Sequence, residues 1–358
     1  MSSKTRERRR HMKPITALAL ANDAIRAAVI EDPYTAQPTV RDFKVLPLPT
    51  GAVADGEVIN EEAVTELLKT LISKHHYPIE NCALAYASRR MVFREATFPE
   101  MALEDLKASL PFQAKSLIAL PVEESVLDFV PLSREITDKG PQLKGLVVGV
   151  LEAGLEKTAQ SVEKAGFVLT SIDAAAFSLA RVFNESSKNK TEAIVNVGGN
   201  ITDVIVLENG KPVYMRVVPS GGDDITDAVA NTLHIPFESA AEIKRRIGLQ
   251  NVVGDDRLRQ AEEVIRETIA QLIVGVRNTL NFYAKEHPES EISGVILTGA
   301  GSLLVGFPSV LASSINKMVR IGDPFGQIKL SQRVNDDNIA SHAPDIAAVL
   351  GLAIGKRP

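Results

Sequence analysis

Two glycine turns carry most of the chemistry written in this sequence. The first lies in Ile194-Val-Asn-Val-Gly-Gly-Asn-Ile-Thr202, where an apolar strand runs into Gly198-Gly199. The second lies in Val295-Ile-Leu-Thr-Gly-Ala-Gly-Ser302, where another apolar strand meets Gly299-Ala300-Gly301. Backbone without a Cβ comes close to a ligand, and its N–H groups can point at an anion. Two such turns, each ending a strand, suit a nucleotide cradled between them. Tight packing alone also places glycine at strand ends, so the turns by themselves leave both readings open. Other chemistries find less support. The six histidines show no metal-ligand spacing, and no metal site is expected. Cys82 is the only cysteine and sits in an apolar strand pattern, where a thiol packs as a small hydrophobe.

The elements that must hold these turns read as α/β. Ile15–Leu20 and Ala24–Ile30 are strands joined at Ala21-Asn22-Asp23. Val64, Leu67, Leu68 and Leu71 recur at a helical period, and a strand follows over Asn81–Ala87. Past the first glycine turn, Thr202–Leu207 is a strand, and Asn209-Gly210 makes a two-residue hairpin into the next. Helices are expected over Ile225–Leu233, Pro236–Ile247 and Leu258–Tyr283, the last with an apolar face from Ala261 to Leu280. Residues 91–172 differ in texture. They read as strand, helix (Leu103, Leu106, Leu110 and Phe112 as its stripe), two strands, helix and strand, an inserted β-α-β-β-α-β subdomain. Residues 13–190 and 191–358 then form two related lobes facing each other across a cleft, the second with a helical subdomain at about 222–290.

Bulk properties bound the function. A chain of 358 residues, 45% hydrophobic and 24% charged, has the balance of a globular protein with a large core. A net charge of −5, 5% aromatic residues and no Trp argue against nucleic acid as a partner. No run approaches ~18 apolar residues, so no transmembrane helix is expected. Residues 1–12, with Arg6, Arg8, Arg9 and Arg10, lack a signal peptide's apolar core and read as a disordered basic tail.

These features resemble the bilobed actin-like ATPase fold of actin, bacterial division and cell-shape filaments and heat-shock ATPases. Within it, the chain resembles the PilM family of type IV pilus assembly. The glycine turns specify only the superfamily. Pro219-Ser-Gly-Gly-Asp-Asp224 and the position of the inserted module, with Phe98-Pro-Glu-Met-Ala-Leu-Glu-Asp-Leu106, point to the family. The resemblance implies ATP as the cofactor and places a first phosphate loop at Ala19–Asp23, with Ala21, Asn22 and Asp23. It places a second at Asn196–Thr202, with Asn196, Gly198, Gly199, Asn200 and Thr202. It assigns Gly299, Ala300 and Gly301 to adenosine, sets Gly221 near the base and brings Lys244 toward the nucleoside.

Two departures bear on chemistry. The first strand of an actin-like ATPase typically ends in an acid followed by glycine, which helps hold hydrated Mg²⁺; here Ala19 and Ala21 stand there. The second strand ends in Asp-x-Gly; here it is Asn196-Val197-Gly198. An amide is no general base and a poor Mg²⁺ ligand, so no catalytic residue is assigned and hydrolysis is not expected. The implied role is a cytoplasmic scaffold, peripheral at the inner membrane, that works with other pilus assembly proteins. It would hold the cytoplasmic tail of a PilN-like inner-membrane protein in a groove near Arg89, Arg90, Phe93, Val147 and Val148. The alternative is an active Mg²⁺-ATPase or filament former.

Overall fold

The computed structural model describes residues 12–355 apart from 139, 337 and 338. Of the expected basic tail, only Met12 falls within them. The chain opens with antiparallel β1 (Ile15–Leu20), β2 (Ala24–Glu31) and β3 (Thr39–Pro47). A short hairpin, β4 (Val53–Ala54) and β5 (Glu57–Val58), leads to α1 (Glu61–Ser73) and β6 (Cys82–Tyr86). There follow β7 (Val92–Pro99), α2 (Leu103–Ala114), β8 (Ser125–Thr137), β9 (Gly140–Leu151), α3 (Glu152–Lys164), β10 (Leu169–Ala174) and α4 (Ala175–Phe183). The second half holds β11 (Thr191–Val197), β12 (Thr202–Glu208), β13 (Lys211–Val218), α5 (Gly222–Leu233), α6 (Phe237–Ile247) and α7 (Asp256–Glu286). It closes with β14 (Gly294–Thr298), α8 (Phe307–Ile315), β15 (Met318–Ile321), β16 (Lys329–Leu330), α9 (Gln332–Asp336) and α10 (Ala343–Gly351).

Two mixed sheets carry the two lobes, in the orders β10-β6-β1-β2-β3-β16 and β13-β12-β11-β14-β15. Each opens with an antiparallel meander and extends through parallel pairing, β1 with β6 and β11 with β14. Parallel neighbours need crossover connections, supplied here by α1 on one side and by α5, α6 and α7 on the other. The helix α4 is apolar almost all round and buried almost all round, as such a helix must be. It packs against α10 and faces both sheets, so the largest core cluster joins Ile15 and Ile30 to Ile194 and Ile205 through Phe177 and Ile346. In α7, Asp255 caps the first turn by accepting from the N–H groups of Arg257 and Leu258, and Ile265, Ile269, Leu272 and Val276 are buried.

The segment read as an insertion has the expected element order, but only its first four elements stand apart. The strands β7, β9 and β8 form their own sheet, with Phe98, Phe129 and Val147 packed under Leu106 and Leu110 of α2. The boundary expected at 172 moves back to Leu151. α3 packs on α1, and β10 pairs in parallel with β6, so both belong to the first lobe. Phe112 also departs from its expected place in the α2 stripe. It is 81% exposed, because two positions beyond Leu110 a side chain projects from the far side of a helix.

Candidate functional site

Register brings the two glycine turns together. Parallel pairing sets Asn196 beside Thr298, so the chain leaves both strands at the same end. A Cβ on Gly299 would strike the Val197 carbonyl and lie 2.8 Å from Asn196 Oδ1, and one on Gly301 would strike the Val197 side chain. Gly299 also has a φ of 84°, open to glycine at no steric cost. Across the cleft, β1 ends at Ala19 and Leu20, and the turn closes with the Ala21 N–H donating to the Ala24 carbonyl at 3.1 Å.

These ends enclose a cavity of about 110 Å³. Ala21, Asn196, Gly198, Gly199, Asn200, Gly299 and Ala300, all expected at the site, line it together with Ala19. The other expected residues serve the walls behind it. Thr202 Oγ1 donates to the Ser220 carbonyl at 2.8 Å. Gly221 lies so close under Gly199 that a Cβ would strike the Gly199 carbonyl, and its N–H donates to Asp224 Oδ2 at 2.8 Å. Lys244 Nζ donates to the Gly222 carbonyl at 2.7 Å and to Thr226 Oγ1 at 2.6 Å. Burial lowers that lysine's pKa against the opposing pull of Asp223. Burial raises the Asp223 carboxyl against the pull of Lys244 and the neighbouring Asn22, and that carboxylate lies against Gly199.

Three charged residues at the cavity were not among those expected. Arg26 stands opposite Ala19 in the β1–β2 pairing, and the small alanine leaves its guanidinium room to enter the cavity. It binds Asp345 at 2.5 Å, and Asp23 at 2.8 and 3.1 Å. Burial opposes the arginine's charge, but the two carboxylates outweigh that and its pKa is raised. Asp23, expected in the first phosphate loop, is thus already paired. Asp345, at the start of α10, has its carboxyl raised by burial despite Arg26. Asp203 faces Asn196 in the β11–β12 register and accepts from Asn196 Nδ2 at 3.0 Å. Burial pushes its carboxyl up to about 6. The sequence signal for both Arg26 and Asp203 was a charge inside an otherwise apolar strand.

The mouth is tied as well. Asp55, in the β4–β5 turn, accepts from Asn200 Nδ2 at 3.2 Å and from Arg89 Nη1 at 3.2 Å. Arg89 also donates to the Pro219 carbonyl, linking the lobes. On the far side, the Pro344 carbonyl accepts from the Gly299 N–H at 2.8 Å and Thr298 Oγ1 at 3.1 Å.

Ala19 and Asn196 stand where the resemblance sets the strand-end carboxylates for hydrated Mg²⁺. Ligand pockets run to roughly 300–1,000 Å³, well above this cavity. Asp23, Asp203, Asp223 and Asp345 outnumber Arg26 and Lys244, so the field disfavours a polyanion unless a cation is held. Among the described residues no group of three or more His, Cys, Asp or Glu could hold a metal ion.

Two of the five residues expected at the partner groove are buried. Phe93 packs edge-on against Phe177 at 6.0 Å, and Val147 is fully buried in the module core. Arg90 is bound to Glu57 at 2.7 Å, and Arg89 is held as above. What the module leaves open is an edge. Among the described residues, β8 pairs only with β9; partly buried and exposed positions alternate over its first half around a buried Phe129, and Ser133 to Thr137 are all exposed.

The family model described as type IV pilus assembly protein PilM matches residues 18–357. Among curated relatives, the chain is 25% identical to the cell division protein FtsA of Bacillus subtilis (strain 168) over 255 residues, 63% of this chain and 57% of that protein. It is 24% identical to the FtsA of Borreliella burgdorferi over 294 residues, 72% of this chain and 66% of that protein. The chain thus spans less than two thirds of the length of these relatives. Among solved structures, a PilM–PilN type IV pilus biogenesis complex aligns at a TM-score of 0.83 with 21% identity, covering 95% of this chain and 97% of that one. An MreB of Spiroplasma citri bound to ADP aligns at 0.56 with 14% identity, covering 95% of each. The bilobed actin-like fold expected from the sequence is the fold found.

Proposed function

This chain belongs to the PilM family of type IV pilus assembly proteins, and on that premise we propose that it is a docking scaffold whose cleft does not hydrolyse nucleotide. The observation that carries the proposal is the open β8 edge of a module that is itself firmly seated. β7 packs beside β13, and Phe93 packs on Phe177, so the module that carries the free edge is seated against both lobes. An extended peptide added to a free edge gains main-chain hydrogen bonds along its length, with alternate side chains choosing the partner. The partner proposed is the cytoplasmic tail of a PilN-like inner-membrane protein. No helix among the described residues is long and apolar enough to cross a membrane, and such a tail would hold the protein at the cytoplasmic face among other assembly proteins.

The cleft's part in this reading is structural. Ala19, Ala21 and Asn196 supply no strand-end carboxylate, and Arg26 with Asp345 occupies the place between the strands as a built-in ion pair. The test is a calorimetric titration of the protein with a synthetic PilN-like tail, with and without Mg²⁺-ATP. Expected are binding in both conditions at the same affinity and loss of at least roughly tenfold on Val126→Asp at the 41%-exposed edge position. Binding only with nucleotide, or unchanged binding by the variant, would overturn the proposal.

A further inference from the structure

A second concavity lies on the outer side of the second lobe, and at about 270 Å³ it is larger than the cleft. It runs between α7 and α8, with Leu249 at one end. The residues of α7 that line it run from Arg266 through Ile269, Ile273 and Val274 to Arg277. Their spacing of three and four sets them in one stripe along the helix. Ile269 and Ile273 are buried as a floor, while Ala270 and Val274 are open to solvent. The trough exists because α8 has nine residues against thirty-one in α7, and Ala270 is too small to fill the space beside it.

Each end of the trough carries a guanidinium. Arg266 and Arg277 stand three helical turns apart, ~16 Å at 1.5 Å per residue. Arg266 is engaged, with Nε donating to Glu262 at 2.7 Å and Nη2 to the Leu249 carbonyl at 2.6 Å, and so it shapes its end. Arg277 is exposed and among the described residues makes no ion pair. No acid follows on α7 until Glu286, so a positive field faces the trough there unopposed.

Shape and charge together select the occupant. A small molecule binds by burying most of its surface in an enclosed pocket, and this trough is open along its length. An aliphatic floor, Ile269 and Ile273 about one turn apart with Val310 of α8 lining the same trough, suits the apolar stripe of a helix. The free cation at one end requires an acid there, and it repels the chain's own basic segment Arg6–Arg10. We propose that the α7–α8 trough docks a short amphipathic helix of a partner protein, seated on Ile269, Ile273 and Val310, with a carboxylate paired to Arg277. This surface lies on a different lobe from the β8 edge and does not rest on the function proposed above.

The test uses labelled helical peptides about four turns long, each with Leu at helical spacing and either Glu or Lys at one end, read by fluorescence anisotropy against the full chain. Expected is preferential binding of the Glu peptides, weakened roughly tenfold by Arg277→Glu, with the Lys peptides gaining what the Glu peptides lose. Val274→Lys should abolish both. Both positions are exposed, and circular dichroism checks that each variant folds. The inference is overturned if no peptide binds or if Glu and Lys peptides bind alike to wild type and Arg277→Glu. It is also overturned if sedimentation shows that Val274→Lys dissociates an oligomer, which would make the trough a contact between copies.

Discussion

Replacing Asp203 with Asn tests whether burial raises this carboxyl to about 6. An unfolded Asp titrates near ~3.9. Between those values the folded protein keeps a proton that the unfolded chain has lost. The group's contribution to stability therefore falls as pH rises through that window and stays low above it. The separation is worth about 3 kcal/mol against folding at pH ~8, of which about half already operates at pH ~5. An asparagine has the same shape and can accept from Asn196 Nδ2, as Asp203 Oδ2 does at 3.0 Å, while staying neutral throughout. The variant should be the more stable protein at pH ~8, and its advantage should shrink by about 1.5 kcal/mol at pH ~5. Urea unfolding of both proteins at the two pH values, followed by far-UV circular dichroism, measures this difference while other titrating groups cancel. An advantage independent of pH, or a wild type that is the more stable at pH ~8, would refute the reasoning.

The ion pair in the cleft gives a second expectation. Arg26→Met leaves Asp345 buried without its countercharge and should cost about 3–5 kcal/mol in thermal unfolding, and Arg26→Met with Asp345→Leu should recover most of it. Absence of recovery would contradict the pairing. Gly221→Ala should destabilise by about 1–3 kcal/mol, because its Cβ meets the Gly199 carbonyl. Gly326→Ala, with nothing within 4 Å, is the neutral control for the same melting experiment. In a titration with ATP, Mg²⁺ should bring no gain in affinity, since none of the strand ends presents the acids a hydrated ion needs; a clear gain would show that Asp203 or Asp345 is recruited.

Much of this architecture was legible because it rests on local patterns. The strands ending in glycine, the hairpin at Asn209-Gly210 and the stripe of α7 are fixed by periodicity and by glycine's freedom at tight turns, both of which short windows reveal. The roles of individual charges were not local. Arg26 lies in a strand near the start, and its partner Asp345 lies near the other end of the chain; only the docking of α10 on β1 and β2 joins them. Lys244 lies on α6, and its ammonium turns inward to the Gly222 carbonyl and Thr226, a choice set by how α6 packs on α5. The module's end was misplaced because the pattern of β10 says that it is a strand and not which sheet receives it.

The return of the last helix to the first strands sets an order of assembly during synthesis. β16 pairs with β3, the Tyr34 N–H donates to the Ala353 carbonyl at 2.7 Å, and α10 covers β1, β2 and α4. The first lobe therefore lacks one edge strand and a covering helix until the chain beyond Lys329 has left the ribosome. The second sheet, by contrast, is drawn from the continuous stretch Thr191–Ile321 and can close earlier. The half that is made first is finished last, and the apolar surface of Ala28, Ile30 and Leu179 stays uncovered for most of translation.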